Sequence, residues 1–203
     1  MPVESAADLA CFFNVEEFAE LAIYTPVGGA PLPAFAVVHS VLPPPESPSV
    51  HHFLIRVVDV PVPIVGDLLL LGDVRYQIAA DPKRVSQSLA WWCTAIPCTA
   101  EVVFQRSSGE TEDAFGKARP MWAEYSRVWA AIRYAEGKEE RTAAHEAGAA
   151  AATFSVARTA TMAGLRVTDR LLFDDADWDI SSVTPSRQFG DGAIDVVATR
   201  AAR

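Results

Sequence analysis

Cysteine is scarce in these 203 residues: Cys11, Cys93 and Cys98 are an odd, scattered set that cannot make a disulfide framework. Buried free thiols are expected, and the four-residue spacing of Cys93 and Cys98 has no second pair to complete a zinc site. Positive charge is also thin. Seventeen Lys and Arg against 26 Asp and Glu give a net charge of −9, the wrong sign for a protein that holds nucleic acid through phosphate contacts. No basic residue precedes Arg56, so the N-terminus lacks the start of a secretory signal and assembly in the cytosol is expected. Long apolar runs are missing: the stretch Phe53 to Leu71 is interrupted by Arg56, Asp59, Pro61, Pro63 and Asp67, which excludes a transmembrane helix there. What is present is enough to fold, with 50% hydrophobic and 21% charged residues, although alanine inflates the first figure and adds little transfer free energy.

Catalytic signatures are also wanting. Of four histidines, His39, His51 and His52 flank a proline-rich stretch and His145 lies in an alanine-rich one. All read as loop or strand-end side chains in water, with no nucleophile elbow or Cys/His pairing beside them. His39, His51 and His52 would hold a metal only if the loop folded back, since the adjacent His51 and His52 point to opposite faces of a strand. The acidic run Asp174, Asp175, Asp177 and Asp179 resembles the carboxylate spacing of a calcium loop, but Ile180 stands where that loop needs glycine and no closing Glu follows. Gly28-Gly29 lacks the strand-to-helix setting of a phosphate loop and reads as a hairpin tip. No enzyme, no cofactor and no metal is expected.

The positive signal is an internal repeat. At an offset of 102, Asp67, Leu69, Leu70, Leu71, Asp73, Tyr76 and Ile78 fall on Asp169, Leu171, Leu172, Phe173, Asp175, Trp178 and Ile180. Each copy is an Asp, an apolar run, two turn residues and a second apolar run; Gly72-Asp73 and Asp174-Asp175 are tight-hairpin turns. Upstream, Phe35 to Leu42 matches Arg127 to Tyr134 at an offset near 92, and Ala22 to Tyr24 matches Val102 to Phe104 at 80. The steps imply loop insertions, one at Pro26 to Pro33 versus Arg106 to Met121, the other at Pro43 to His51 versus Ala135 to Thr153.

Strands are predicted over Leu21 to Thr25, Phe35 to Leu42, His52 to Val58, Leu68 to Leu71, Val74 to Ala80 and Val85 to Thr94 in the first half. In the second they cover Val102 to Arg106, Trp122 to Tyr134, Thr153 to Arg158, Arg170 to Phe173, Asp177 to Val183 and Ala193 to Thr199. Trp122, Tyr125, Trp129 and Ile132 also fit a helical period, but the repeat partner is too rich in proline and valine for a helix interior. Helices are expected over Ala6 to Glu20 and over Lys138 to Ala152, the latter with nothing large to bury. The fold class is therefore mainly β: two tandem small β-barrel domains, 1–98 and 99–203, with a short N-terminal helix and a helical or loop insertion in the second.

These residues carry a resemblance. The run FAELAIYTPVGGAPLPAFAVV, the proline-rich stretch after it and HFLIRVVDVPVPIVGDLLLLGDVRYQIA make the first half, about Phe18 to Thr94, similar to the lambda-type head-tail attachment (stopper) proteins of long-tailed phages. The runs VVFQR, MWAEYSRVWAAIRYAEGKE and TMAGLRVTDRLLFDDADWDISSV make the second, about Val102 to Thr199, resemble the head-tail joining (head closure) family.

The resemblance implies a virion neck protein, assembled in the bacterial cytoplasm. It would form a ring, as a homohexamer, between the portal-adaptor connector and the tail terminator or tail-tube protein. DNA would pass through without sequence-specific binding, and no membrane is involved. It also implies a channel or gate loop at Ala135 to Ala152, with Glu136, Lys138, Glu139, Glu140, Arg141, His145 and Glu146 as its polar residues. The counterpart interface loop of the first half carries Pro43, Pro44, Pro45, Glu46 and His51. Asp67, Gly72, Asp73, Asp169, Asp174 and Asp175 are expected as structural turns. An acidic surface suits a lumen past which phosphates slide, and exposed sheet edges would give neighbouring subunits a route to pair. A tail terminator or other tail-tube ring is the alternative, and a hydrolase or carbohydrate-binding barrel built on Asp174 to Asp179 is a third reading.

Overall fold

The computed structural model describes residues 6–42, 50–85, 89–134 and 150–200. A short helix, α1 (Ala6–Phe12), precedes seven strands: β1 (Glu20–Thr25), β2 (Phe35–Leu42), β3 (Val50–Arg56), β4 (Leu68–Leu71), β5 (Val74–Ile78), β6 (Lys83–Val85) and β7 (Ala90–Cys98). Six more follow: β8 (Ala100–Glu112), β9 (Ala118–Tyr134), β10 (Ala150–Ala157), β11 (Arg170–Phe173), β12 (Ala176–Ser186) and β13 (Gly190–Arg200), with one 3-10 turn at Met162–Gly164. The protein is mainly β, as the alternating sequence pattern requires. No helix among the described residues is long and apolar enough to cross a membrane.

The first sheet runs β3-β2-β1-β4-β5-β7-β6, and an added β3–β7 pairing brings it round on itself. The second is a closed barrel in the order β10-β13-β12-β11-β8-β9. Setting β6 aside, the two rings have one topology, every neighbouring pair antiparallel.

Their registers agree as well. Tyr24 faces Leu69 and Leu69 faces Tyr76 in the first ring; Phe104 faces Leu171 and Leu171 faces Trp178 in the second. Phe53 opposite Cys93 matches Phe154 opposite Val196, and Ile78 opposite Ala95 matches Ile180 opposite Ala198. Ala22 opposite Phe35 matches Val102 opposite Val128. This last match moves the β2 to β9 alignment one place beyond the offset near 92, which puts Val37 on Ala130, both fully buried. One residue decides which face of a strand is inside.

Each ring encloses its own core, Ala22, Tyr24, Phe53, Ile55, Leu69 and Ile78 in one and Val102, Phe104, Phe154, Val156, Leu171, Trp178 and Ile180 in the other. The edge-to-face pairs of Phe154 with Trp178 and of Phe53 with Tyr76 occupy matching places.

Several expectations need correction. The helix expected to Glu20 stops at Phe12, because the Asn14 carbonyl collects the N–H groups of Glu17, Phe18 and Ala19 while its side chain accepts from Glu16, turning the chain into β1. The strand expected over Val85 to Thr94 is the hairpin β6–β7. Ala150–Ala152, placed at the end of a helix, are the first residues of β10, since Ala152 packs in the core. The segment Arg106 to Met121, expected to be an inserted loop, is largely strand: β8 and β9 stay paired as far as Glu112 and Ala118. Closure of the second ring also removes the edges expected there.

The rings meet across a third core of Ala79, Ile96, Cys98, Ala157, Phe189 and Ala193. Arg75 lies over the Trp129 ring at 3.8 Å, and only Thr99 separates β7 from β8. Gly192 touches the other ring so closely that a Cβ there would overlap the Ala79 carbonyl. Gly192→Ala therefore lowers stability by about 2 kcal/mol, read as a Tm fall of roughly 4–8 °C for a chain of this size. An unchanged melting curve would show that the rings do not touch at that point.

Candidate functional site

Side chains of the first ring gather at one mouth. Alternation along β1, β2 and β3 sends Glu20, His39 and His51 inward, where they meet Tyr76 from β5. His39 Nε2 and His51 Nδ1 are hydrogen-bonded at 2.9 Å, one ring donating to the other. Their rings stack, and His39 stacks in turn on Phe53 at 4.7 Å between centroids. Glu20 lies 3.5 Å from His39 Nδ1. On the opposite face His52 stacks on Trp92 and shares a hydrogen bond with Thr94 Oγ1. These histidines are thus part-buried packing groups, not the loop histidines in water that the sequence suggests; the strand brings the pair together across β2 and β3.

At the matching places the second ring has Ala100, Ile132, Ala152 and Trp178, none of which carries an ionisable side chain. Burial, and the neighbouring His39 and His52, hold His51 below the usual histidine range, and burial does the same to His52.

The Asp67 and Asp169 turns are more than turns. Both carboxylates are buried, and both accept the N–H three residues back: Asp67 Oδ2 from Ile64 at 2.8 Å, Asp169 Oδ2 from Arg166 at 2.8 Å. Each is also tied to the first strand of its ring. The Tyr24 hydroxyl and the Val27 N–H donate to Asp67. Phe104 replaces Tyr24 in the second ring and has no hydroxyl; Arg106, two residues on, supplies Nε and Nη2 to Asp169, both at 2.7 Å. Burial and the carboxylate push the Tyr24 phenol well above its ordinary pKa. Burial alone would raise Asp169, but the Arg106 fork and the Arg166 N–H outweigh it and hold the carboxyl below the usual range.

The two hairpin turns differ in how they reach the left-handed region. Gly72 has φ of 56° beside Asp73, whereas Asp174 and Asp175 carry φ of 53° and 52°, the left-handed region that Asp tolerates in a tight turn. Asp177 pairs with Arg170 at 3.0 Å and Asp174 with Arg200 at 3.8 Å. Among the described residues no three His, Cys, Asp or Glu side chains converge as a metal site. Cys93 and Cys98 are buried thiols pushed up to about 12, chiefly by burial; Cys11, expected to be buried, is exposed. Pro43, Pro44, Pro45 and Glu46, and the gate residues Glu136, Lys138, Glu139, Glu140, Arg141, His145 and Glu146, lie outside the described residues.

A projecting hairpin was not anticipated. Beyond Arg106, β8 and β9 leave the barrel as a two-stranded arm with both faces in water, about 20 Å long at ~3.3 Å per residue. Its tip is fixed by Asp113, whose Oδ1 accepts the N–H groups of Phe115 and Lys117 and whose Oδ2 accepts Arg119 Nε, each at 3.0 Å. The turn holds Phe115 out at 95% exposure. Its polar composition gives no alternation to detect, so only the Asp113 to Gly116 turn signals a hairpin in the sequence.

Comparison with known proteins bears on the second ring. Residues 94–193 match the phage head completion protein family. The head completion match takes in the end of β7 and all of β8 to β12, and so includes the arm, the Asp169 tie and the acidic hairpin. The first ring lies almost wholly outside it. Among solved structures, a chain from the virion of a native gene transfer agent particle is similar at 16% identity with a TM-score of 0.34, covering 52% of this chain and 96% of its own length. No curated protein sequence matches.

Two outcomes follow from this geometry. A histidine whose folded pKa is depressed favours the native state above its unfolded value of ~6.5, and that stability is lost as pH falls through the folded value. Stability therefore declines as pH falls from about 7 to 5, and the double variant His39→Ile with His51→Ala, which copies the second mouth, flattens that slope in urea titrations. Asp169, also depressed, contributes stability present above ~4 and lost as pH falls below it. Asp169→Asn costs about 3 kcal/mol at pH 7 by stranding its donors and shows a smaller further loss than wild type on acidification to pH 3.

Proposed function

We propose that the protein is a structural component of a phage-type virion neck, a stopper that closes the filled head and offers a surface to the tail. The observation that carries this reading is the head completion match spanning the second ring. A repeated six-strand barrel fits a contact-making role, and the net charge of −9 suits a surface past which DNA phosphates slide.

In this reading the chain works by geometry and contact, without turnover. Its two domains, 1–98 and 99–203, form a ring, as a homohexamer, between the portal-adaptor connector and the tail terminator or tail-tube protein. The segments 43–49 and 135–149 join matching strands, β2 to β3 and β9 to β10. We assign the longer one, with Glu136, Lys138, Glu139, Glu140, Arg141, His145 and Glu146, to the channel side, and Pro43, Pro44, Pro45 and Glu46 to a subunit or partner contact.

A cryo-EM map of intact particles tests the ring: density for this chain between portal-adaptor and tail is expected, and density only along the tail would make it a tail-tube ring instead. Deleting Glu139 to Gly148, which spares β10, leaves the thermal unfolding of the purified protein within 2 °C or so of wild type and yields heads that lose DNA. Full DNA retention by those heads would end the gate assignment.

A further inference from the structure

The β8–β9 arm presents an aromatic ring for which this chain has no use. Among the described residues Phe115 is the most exposed large hydrophobic side chain, at 95%. Its position is nonetheless built. Asp113 holds the turn by three hydrogen bonds and Gly116 takes φ of 73°, so little ordering remains to be met on binding. A preorganised, solvent-held aromatic is the residue type that anchors interfaces.

A receiving site lies where the two rings meet. An open cleft of about 460 Å³ is lined by Pro63, Ile64, Asp81, Pro82, Trp91 and Arg158, among others, within the range of ~300–1,000 Å³ that accepts an inserted group. Ile64 is half exposed there, and the indole N–H of Trp91 is buried without an acceptor among the described residues.

The charges correspond. Around the cleft, Arg158 and Asp81 have no ion-pair partner among the described residues, and neither do Glu110, Glu112 and Lys117 on the arm. The arm thus carries an apolar tip with acids on β8 and a base in the turn; the cleft has an apolar floor with one base and one acid at its sides. The outer edges of the arm have no strand partner among the described residues.

We propose that Phe115 of one copy seats in the cleft between the two rings of the next copy. The patch and its receptor lie on different parts of one chain, so the contact is head-to-tail, the kind that closes into a ring when the rotation allows. The proposal rests on the ring reading above and names the contact that would build it.

The test uses particles carrying Phe115→Cys and Ile64→Cys in one chain, with Cys11→Ser to remove the exposed thiol, treated with a short bismaleimide. A ladder of covalent oligomers is expected, whereas each single variant gives dimers at most. Buried Cys93 and Cys98 do not interfere. If the map places the chain in a neck ring and the double variant yields no ladder, the arm contact is overturned and the ring stands. A ladder from chains that form no neck ring supports the contact and overturns the ring position.

Phe115→Arg gives an independent reading. Replacing so exposed a side chain leaves folding intact, and incorporation into particles falls at least tenfold, while Phe115→Leu retains most of it. Wild-type incorporation of the Arg variant would sink the proposal.

Discussion

Closing six strands around a single layer of side chains is the constraint on which the rest of the molecule depends. A ring closes only if the registers of all its pairs are mutually consistent, and a slip at one pair would turn a strand inside out. That is why the two rings agree in register while sharing little sequence. Their interiors also balance. Ala22 and Val37 in the first ring become Val102 and Ala130 in the second, at diagonal positions on neighbouring strands, so a large and a small side chain exchange places and the volume stays constant. The same economy governs polar groups. When Phe104 drops the hydroxyl that Tyr24 gives to Asp67, Arg106 takes over the bond to Asp169.

Where the rings differ, they differ outside this layer. One mouth holds Glu20, His39, His51 and Tyr76; the other holds alanine, isoleucine and tryptophan. The first strand pair of one ring ends at a short tip around Gly28, and that of the other extends into the arm. Duplicated barrels thus keep the interior that closure demands and vary at their ends.

The repeat was legible because closure preserves the residues that face inward: Asp67 to Ile78 and Asp169 to Ile180 keep their spacing through the hairpin. Trp122 to Tyr134 is strand despite its helical period, as the proline- and valine-rich composition of its repeat partner indicates. Other features were hidden for physical reasons. The alignment of β2 with β9 differed by one place because valine and alanine leave the facing residue ambiguous. The arm looked like a loop because a strand wet on both faces has no apolar alternation. The histidine pair is separated by twelve residues in sequence and joined only by β2–β3 pairing, and α1 ended early because Asn14 competed for the backbone.

The passage between the rings has a mechanical consequence. The chain crosses through Thr99 alone, whose N–H donates to the Ala130 carbonyl at 2.8 Å and whose Oγ1 accepts the Ile132 N–H at 3.1 Å. With Gly192 pressed against Ala79 and Arg75 laid over Trp129, there is no slack for a hinge. A load applied to one ring is borne by the other as compression through their common core, so the pair behaves as a strut of fixed length rather than as two beads on a string.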